Sequence, residues 1–311
     1  MVTTAQSLVI PAFNEATRLA AGFERLRPTL ELLGTETTEI VMVDDGSHDD
    51  TLRVAHQTFG HLPHFRLVQH PHNMGKGTAV RTGLAHARSE RVIVADADMS
   101  IDPRHFPDIL EALGRADMAP GSRAVSGHIR YDSLARTLAG SAFHLLVHHY
   151  TRTTVRDTQC GCKGFRLAPG RLLGLLGLVN GFTYDVELFY LALQLGLRVE
   201  PVAVTWEDIG GSTVHFASAK TQLFHDVRSV PRTQHRCPVV EVDPAVDLAA
   251  VRRAAIETRS AGLVVARGRD EALVVVARDA AVNAIGIGES LGGTVRTASL
   301  EELRGRELEA V

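Results

Sequence analysis

RVIVADAD, residues 91–98, sets Val92, Ile93, Val94 and Ala95 in one apolar run and follows it with two carboxylates, Asp96 and Asp98. A run of branched apolar residues with no polar alternation reads as a strand buried on both faces, the habit of parallel sheets covered by helices. Working outward, SLVIPAFNEA (7–16), EIVMVDDGSHDD (39–50) and FRLVQ (65–69) repeat the form. Strands are expected at Ser7–Phe13, Glu39–Asp44, Phe65–Gln69 and Arg91–Asp96, with helices at Glu15–Leu33, Asp49–Phe59 and Gly75–Ser89 between them. In such α/β sheets ligands bind beyond the carboxyl ends of the strands. Asn14 and Glu15, Asp44 and Asp45, and Asp96 and Asp98 all fall at those ends.

Farther along, helices are expected at Asp132–Tyr150, Pro169–Leu178 and Tyr184–Leu195, and a strand at Arg198–Thr205. Pro231 and Pro238, with TQHRC between them, read as a linker, which divides the chain into 1–232 and 238–311. The second part reads β-α-β-β-α-β, the order of a small ferredoxin-like α+β module. No chemistry is legible in it, and docking or self-association is its expected role.

The 311 residues carry 33 Lys and Arg against 36 Asp and Glu, a net charge of −3, which gives no basic field for nucleic acid. Hydrophobic residues at 45% and charged residues at 22% exclude a disordered chain. Three cysteines cannot build a disulfide framework and suit a reducing compartment. No run approaches the roughly 20 apolar residues of a spanning helix, so the expectation is a cytoplasmic chain, at most peripheral on the cytoplasmic face of a membrane.

The chemistry gathers in a few strings. Asp96-Ala97-Asp98 offers two hard oxygen ligands suited to Mg²⁺ or Mn²⁺ together with substrate phosphates. Asn73-Met74-Gly75-Lys76-Gly77 opens a helix, where glycines admit a close ligand and the N-terminus and Lys76 favour anions. Cys160 and Cys162 lack zinc spacing, and His144 and His148 lack accompanying ligands, so both pairs read as structural. Trp206 reads equally as core packing or as a stacking platform.

Taken in order, VIPAFNE (9–15), VDDGS (43–47), NMGKG (73–77), the DxD at 96–98 and GSR (121–123) resemble family 2 glycosyltransferases of the GT-A fold. RDTQCGCKGF (156–165), FTYDVEL (182–188) and VTWEDIGGS (204–212) are most similar to the dolichyl-phosphate β-glucosyltransferase group, with polyprenyl-phosphate mannose synthases next. The resemblance spans about residues 6–230 and implies a mostly parallel GT-A sheet with helices on both faces.

It further implies that Pro11, Ala12, Glu15 and Asp45, with Asn14 and Asp44 beside them, hold a nucleotide's base and ribose. Asp96 and Asp98 hold the metal and diphosphate, with Lys76. Arg123, with Arg136 or Arg130, binds the acceptor phosphate, and Ser133 adds a hydroxyl; guanidinium forks suit phosphate oxygens. A phosphate acceptor needs no strong base, whereas an alcohol acceptor would require Asp157 or Asp185. The expectation is an inverting, metal-dependent transfer of glucose from UDP-glucose, or mannose from GDP-mannose, to a polyprenyl phosphate. The alternatives are the same chemistry on a soluble acceptor in specialised metabolism and a non-catalytic sugar-nucleotide-binding protein.

Overall fold

A computed structural model of the chain describes residues 4–124, 134–207, 209, 226–232, 235, 237–258, 260, 262–276 and 281–311, the side chains of 134–142 and 281–282 excepted. Seven strands, β1 (Gln6–Ala12), β2 (Thr38–Asp44), β3 (Phe65–Gln69), β4 (Arg91–Ala95), β5 (Met118–Ser122), β6 (Cys162–Arg166) and β7 (Val202–Ala203), form one sheet in the order β3-β2-β1-β4-β6-β5-β7. β1 pairs in parallel with β2 and β4, and β2 with β3, while β6 runs antiparallel to both β4 and β5. The sheet is mostly parallel, as the apolar runs required.

The pleat sends alternate residues of each strand to opposite faces. Val9, Val41 and Val94 share one register row and face α3 (Lys76–His86), α6 (Leu167–Leu176) and α7 (Tyr184–Leu195). Leu8, Ile10, Ile40, Met42 and Ile93 face the other way, onto α1 (Leu19–Leu33), α2 (Thr51–Phe59) and α4 (Phe106–Ala112). Both layers exclude water, which is why these strands tolerate no polar alternation.

Several local expectations give way to tertiary geometry. Helix α1 starts at Leu19, not Glu15, because the amides of Asn14, Glu15 and Ala16 bond instead to the side chains of Ser47, Thr51 and Asp49. The strand expected at Arg198–Thr205 shrinks to β7, since Pro201 supplies no amide to the ladder. Strands β5 and β6 escape the sequence reading because Pro120, Gly121 and Gly164 mask them. Helix α5 (Leu134–Thr151) agrees with its expected place. Among the described residues no helix is long and apolar enough to cross a membrane.

Beyond residue 236 a second sheet is built of β8 (Cys237–Val242), β9 (Val264–Arg267), β10 (Ala272–Val275), β11 (Thr294–Ala298) and β12 (Glu307–Ala310). Its order is β11-β8-β10-β9-β12, antiparallel throughout. The edge strand β12, whose ELEA sequence carries little apolar signal, adds to the six elements read from the sequence. One face packs on helices Leu248–Glu257 and Ala281–Leu291 through Val240, Val265 and Val274. The other face, with Val239, Val264 and Leu273, joins Leu172, Leu173 and Leu176 of α6 in the core of the first sheet. The two sheets therefore share one continuous apolar interior.

Candidate active site

The register of the first sheet brings the ends of β1 and β2 level, with Ala12 opposite Asp44, while Val9 stands opposite Val94 and β4 ends two residues earlier. Pro11 and Ala12 are buried at the end of β1, and the chain turns at Asn14, whose φ of +54° suits an asparagine, a residue that tolerates this region. The Asn14 side chain accepts from His48 N at 2.9 Å and its amide donates to Ser47 Oγ at 2.9 Å, so the first and second strand-end loops are laced together.

Asp44 is fully buried and accepts from Ser47 N. Asp45, 3% exposed, is committed to the glycine loop. Its Oδ1 accepts from Met74 N at 2.9 Å and faces His70 Nδ1 at 2.7 Å, and its Oδ2 accepts from Gly75 N at 2.8 Å. His70 is braced in turn by Thr82 Oγ1 at 2.9 Å. Gly75 has φ +95°, a conformation that only glycine adopts without strain, and it delivers the chain into α3 with Lys76 at its first turn.

Lys76 Nζ lies 2.7 Å from Asp96 Oδ1, with the exposed ring of Phe182 5.8 Å away. Burial works against its charge, but the carboxylates of Asp96, Asp185 and Asp98 outweigh it and hold the ammonium above the ordinary lysine value. Asp98 accepts from Ser100 N and takes a second contact from Arg18 Nη1 at 3.2 Å. Arg18 also donates to Glu15 Oε1, while Glu15 Oε2 is buried with no partner. Burial, helped by Asp98 and Asp96 against the pull of Arg18, pushes the Glu15 carboxyl up to about 7.

Across the sheet, Arg123 follows β5 and is clamped by Asp157. Its amide and Nε donate to Asp157 Oδ2 at 2.9 and 2.8 Å, and its Nη2 to Oδ1 at 2.7 Å. Burial opposes the Asp157 charge, but those bonds and the guanidinium prevail and keep its carboxyl below the usual aspartate value. Asp185, in the first turn of α7, is withdrawn beneath the surface, 2.8 Å from the buried ammonium of Lys163 on β6. Burial raises its carboxyl despite Lys163 and Lys76.

The structure thus gathers Glu15, Lys76, Asp96 and Asp98 into one cluster, seats the glycine loop on Asp45, and pairs Arg123 with Asp157. Arg136 lies on the backbone of α5 with its side chain outside the described set, and Arg130 and Ser133 lie outside the described residues. Sequence reading missed Arg18, Lys163 and His70. Arg18 had one legible signal, its place three residues after Glu15 on the turn leading into a helix. The thiols of Cys160 and Cys162 are buried, the former pushed up to about 11 mainly by burial, which leaves them inert. His148 Nδ1 sits 2.9 Å from Thr153 O. Trp206 is 45% exposed, which removes it from the core.

Among the described residues no group of three or more His, Cys, Asp or Glu side chains is arranged to hold a metal. Two open carboxylates, met here by Lys76 and Arg18 with an orphaned Glu15 oxygen behind, fit a hard divalent cation that completes its shell with ligand phosphates and water. A cleft of ≈ 800 Å³ between α6 and β12, lined by Arg88, Arg171 and Arg252, contains none of the strand-end carboxylates.

A family model described as Glycosyl transferase family 2 matches residues 7–169. The dolichyl-phosphate beta-glucosyltransferase of Drosophila melanogaster is 37% identical over 227 residues, which cover 66% of this chain and 68% of that protein. Its Homo sapiens counterpart is 36% identical over 230 residues, with 66% and 68% covered. Glucosyl-3-phosphoglycerate synthase from Mycobacterium tuberculosis, solved with UDP, superposes with a TM-score of 0.54 at 19% identity, over 73% of this chain and 79% of that one. The same enzyme solved with Mn²⁺, UDP-glucose and phosphoglyceric acid gives 0.52 at 18%, over 73% and 78%. At such identities the likeness to the solved structures is one of fold.

Proposed function

This chain belongs to glycosyl transferase family 2, a hexosyltransferase on the GT-A fold, and on that premise we propose that it transfers glucose from UDP-glucose to a polyprenyl phosphate with inversion at the sugar carbon. The carrying observation is the pair Arg123–Asp157: the aspartate is saturated by its arginine, and Asp185 is buried against Lys163. Asp157 is therefore not free to take a proton from an alcohol, and Asp185 lies beneath the surface. A phosphate monoester is already anionic near neutral pH and asks for a guanidinium to orient it instead.

In this reading Pro11, Ala12, Asn14, Glu15 and Asp44 line the base and ribose. Asp45 acts through the glycine loop that it seats. Asp96 and Asp98 would hold Mg²⁺ or Mn²⁺, which when bound supplies charge stabilisation to the departing diphosphate. Lys76 adds a fixed positive charge on the same side. Arg123 orients the lipid phosphate so that one of its oxygens forms the new bond to the anomeric carbon from the face opposite the nucleotide. The bond to the nucleotide oxygen breaks, its electron pair leaves with UDP, and an α-linked donor yields a β-linked product. The relatives named for dolichyl phosphate support this acceptor.

The test incubates purified protein with Mn²⁺ or Mg²⁺ and labelled UDP-glucose, GDP-mannose or UDP-N-acetylglucosamine, each with and without a short polyprenyl phosphate. Label should enter the organic phase from UDP-glucose alone and vanish in Asp98→Ala and Arg123→Ala. Nucleotide release without lipid-linked label would overturn the acceptor and direct the search to soluble ones; binding without any turnover would overturn catalysis.

A further inference from the structure

Helix α6 ends at Leu176, and residues 177–180 turn back toward the site before α7 begins. The amides of Leu178 and Val179 are taken by one side chain, Glu187 of α7. Leu178 N lies 3.0 and 2.9 Å from its two oxygens and Val179 N lies 2.9 Å from Oε2. Glu187 is 2% exposed, so the carboxylate has been withdrawn from water for these two bonds.

The opposite edge of the same segment carries the glycine loop. Asn180 O accepts from Gly77 N at 2.7 Å. Arg81 of α3 donates to Val179 O at 2.8 Å and to Asn180 Oδ1. A Cβ on Gly75 would stand 2.4 Å from Asn180 O, and one on Gly77 would stand 2.3 Å from Val179 O. The two backbones touch with no side chain between them, so a shift of 177–180 moves Gly75, Lys76 and Gly77 with it.

Behind Glu187 sits His235, whose side chain is fully buried. Its Nδ1 lies 3.7 Å from Glu187 Oε1 and 3.3 Å from Leu176 O, and its Nε2 lies 3.1 Å from Val230 O. His235 stands two residues before β8, in the segment that joins the two sheets. One route from the second sheet to the glycine loop is therefore a series of named contacts: His235 to Glu187 at 3.7 Å, Glu187 to the amides of Leu178 and Val179, Asn180 to Gly77.

We infer that Glu187 is a positioning residue of the donor site, fixing the seat of the phosphate-facing glycine loop, and that His235 couples the C-terminal sheet to that seat. The inference rests on the reading of the glycine loop as the donor-diphosphate cradle. It also gives the second sheet a part in the reaction of the first, since the residue that backs Glu187 lies at the sheet's entrance.

The test uses the full chain with the variants Glu187→Gln, Arg81→Met and His235→Gln. Amide hydrogen exchange is read by mass spectrometry over residues 72–80 and 176–183, with β1 and β2 as internal references. Loss of one well-made bond to the segment should speed exchange in both windows about tenfold in Glu187→Gln and Arg81→Met, loss of the imidazole packed behind Glu187 should speed both windows in His235→Gln, and β1 and β2 should stay unchanged in all three. In turnover assays the KM for UDP-glucose should rise about tenfold while the KM for polyprenyl phosphate holds, a split that simple loss of folded protein does not produce.

Faster exchange confined to 176–183, acceleration spread evenly over the chain, or the two KM values rising together would overturn the positioning role. An unchanged 72–80 window in His235→Gln alone would overturn the coupling to the second sheet. Should Glu187→Gln fail to fold, the partly exposed Arg81→Met decides the matter by the same readouts. Absence of lipid-phosphate transfer by the wild-type protein would refute the proposed reaction, while the exchange comparison would still decide the seat.

Discussion

Asp157→Asn separates a clamp from a base. The substitution keeps the shape of the side chain and removes its charge. In the native protein Oδ2 receives the amide and Nε of Arg123 and Oδ1 receives Nη2. An asparagine can keep its carbonyl at one of these places, but its NH₂ then faces an arginine donor at the other. At least one charge-assisted bond is lost, worth about 1.5–3 kcal/mol when dry. Arg123 is 29% exposed, and water recovers part of this, leaving about 2 kcal/mol, or about 30-fold in an equilibrium constant.

The loss falls on the orientation of Arg123, so steady-state kinetics with varied polyprenyl phosphate should show kcat/KM about 30-fold lower, expressed in the acceptor KM. The donor KM should stay within about twofold. Removal of a general base would instead lower kcat about 100- to 10,000-fold at saturating acceptor. That outcome, with both KM values unchanged, would refute the clamp. The Asp157 carboxyl is held below its unfolded value, so the stability it contributes is present above that value and disappears as pH falls through the lower folded one. Acid melts of wild type and Asp157→Asn should therefore converge at low pH.

Chelation with EDTA should abolish transfer and added Mn²⁺ or Mg²⁺ restore it, whereas Asp96→Asn and Asp98→Asn should remain inactive with metal; full activity in EDTA would dispose of the cation. Glu15 is raised, so the stability it contributes is complete below its ordinary value and is lost as pH climbs through about 7; Glu15→Gln should flatten that decline in metal-free thermal melts, and two parallel curves would contradict it. Arg171, 7% exposed, donates to the carbonyls of Leu84, Ala85, Ala87 and Val311 where the two sheets meet, so Arg171→Met should cost about 2–4 kcal/mol in urea unfolding, and a loss under about 0.5 would show those carbonyls satisfied without it. Gly77→Ala drives a methyl to 2.3 Å from Val179 O and 2.7 Å from Tyr184 Cβ, so isothermal titration with UDP and Mn²⁺ should detect at least about tenfold weaker binding; wild-type affinity would mean the loop does not carry the diphosphate.

Where the strands end, and which polar residues follow them, is legible in short local stretches of the chain. Val92–Ala95 followed by Asp96 and Asp98, and Ile40–Val43 followed by Asp44 and Asp45, are local patterns, because a strand covered on both faces needs apolar residues along its length and its polar residues gather at its carboxyl end. The parallel sheet and the carboxylate cluster followed from that alone. What each carboxylate does was decided by contacts between residues far apart in the chain. Asp157 reaches Arg123 across 34 positions, Asp45 reaches Gly75 across 30, and Arg81 reaches Val179 across 98. Such contacts depend on strand register and on how helices pack over the sheet, and hydrophobic periodicity encodes neither. The Pro- and Gly-bearing strands β5 and β6 show the same limit, since β6 is a strand because β4 offers an edge to pair with and β5 because β6 does in turn, not because their residues favour extension. Pro231, Pro238 and the polar residues between them mark off the start of the second sheet in the sequence. Only packing could reveal that Val239 and Leu273 close on Leu172 and Leu176, and that His235 is buried beneath the loop supporting the site.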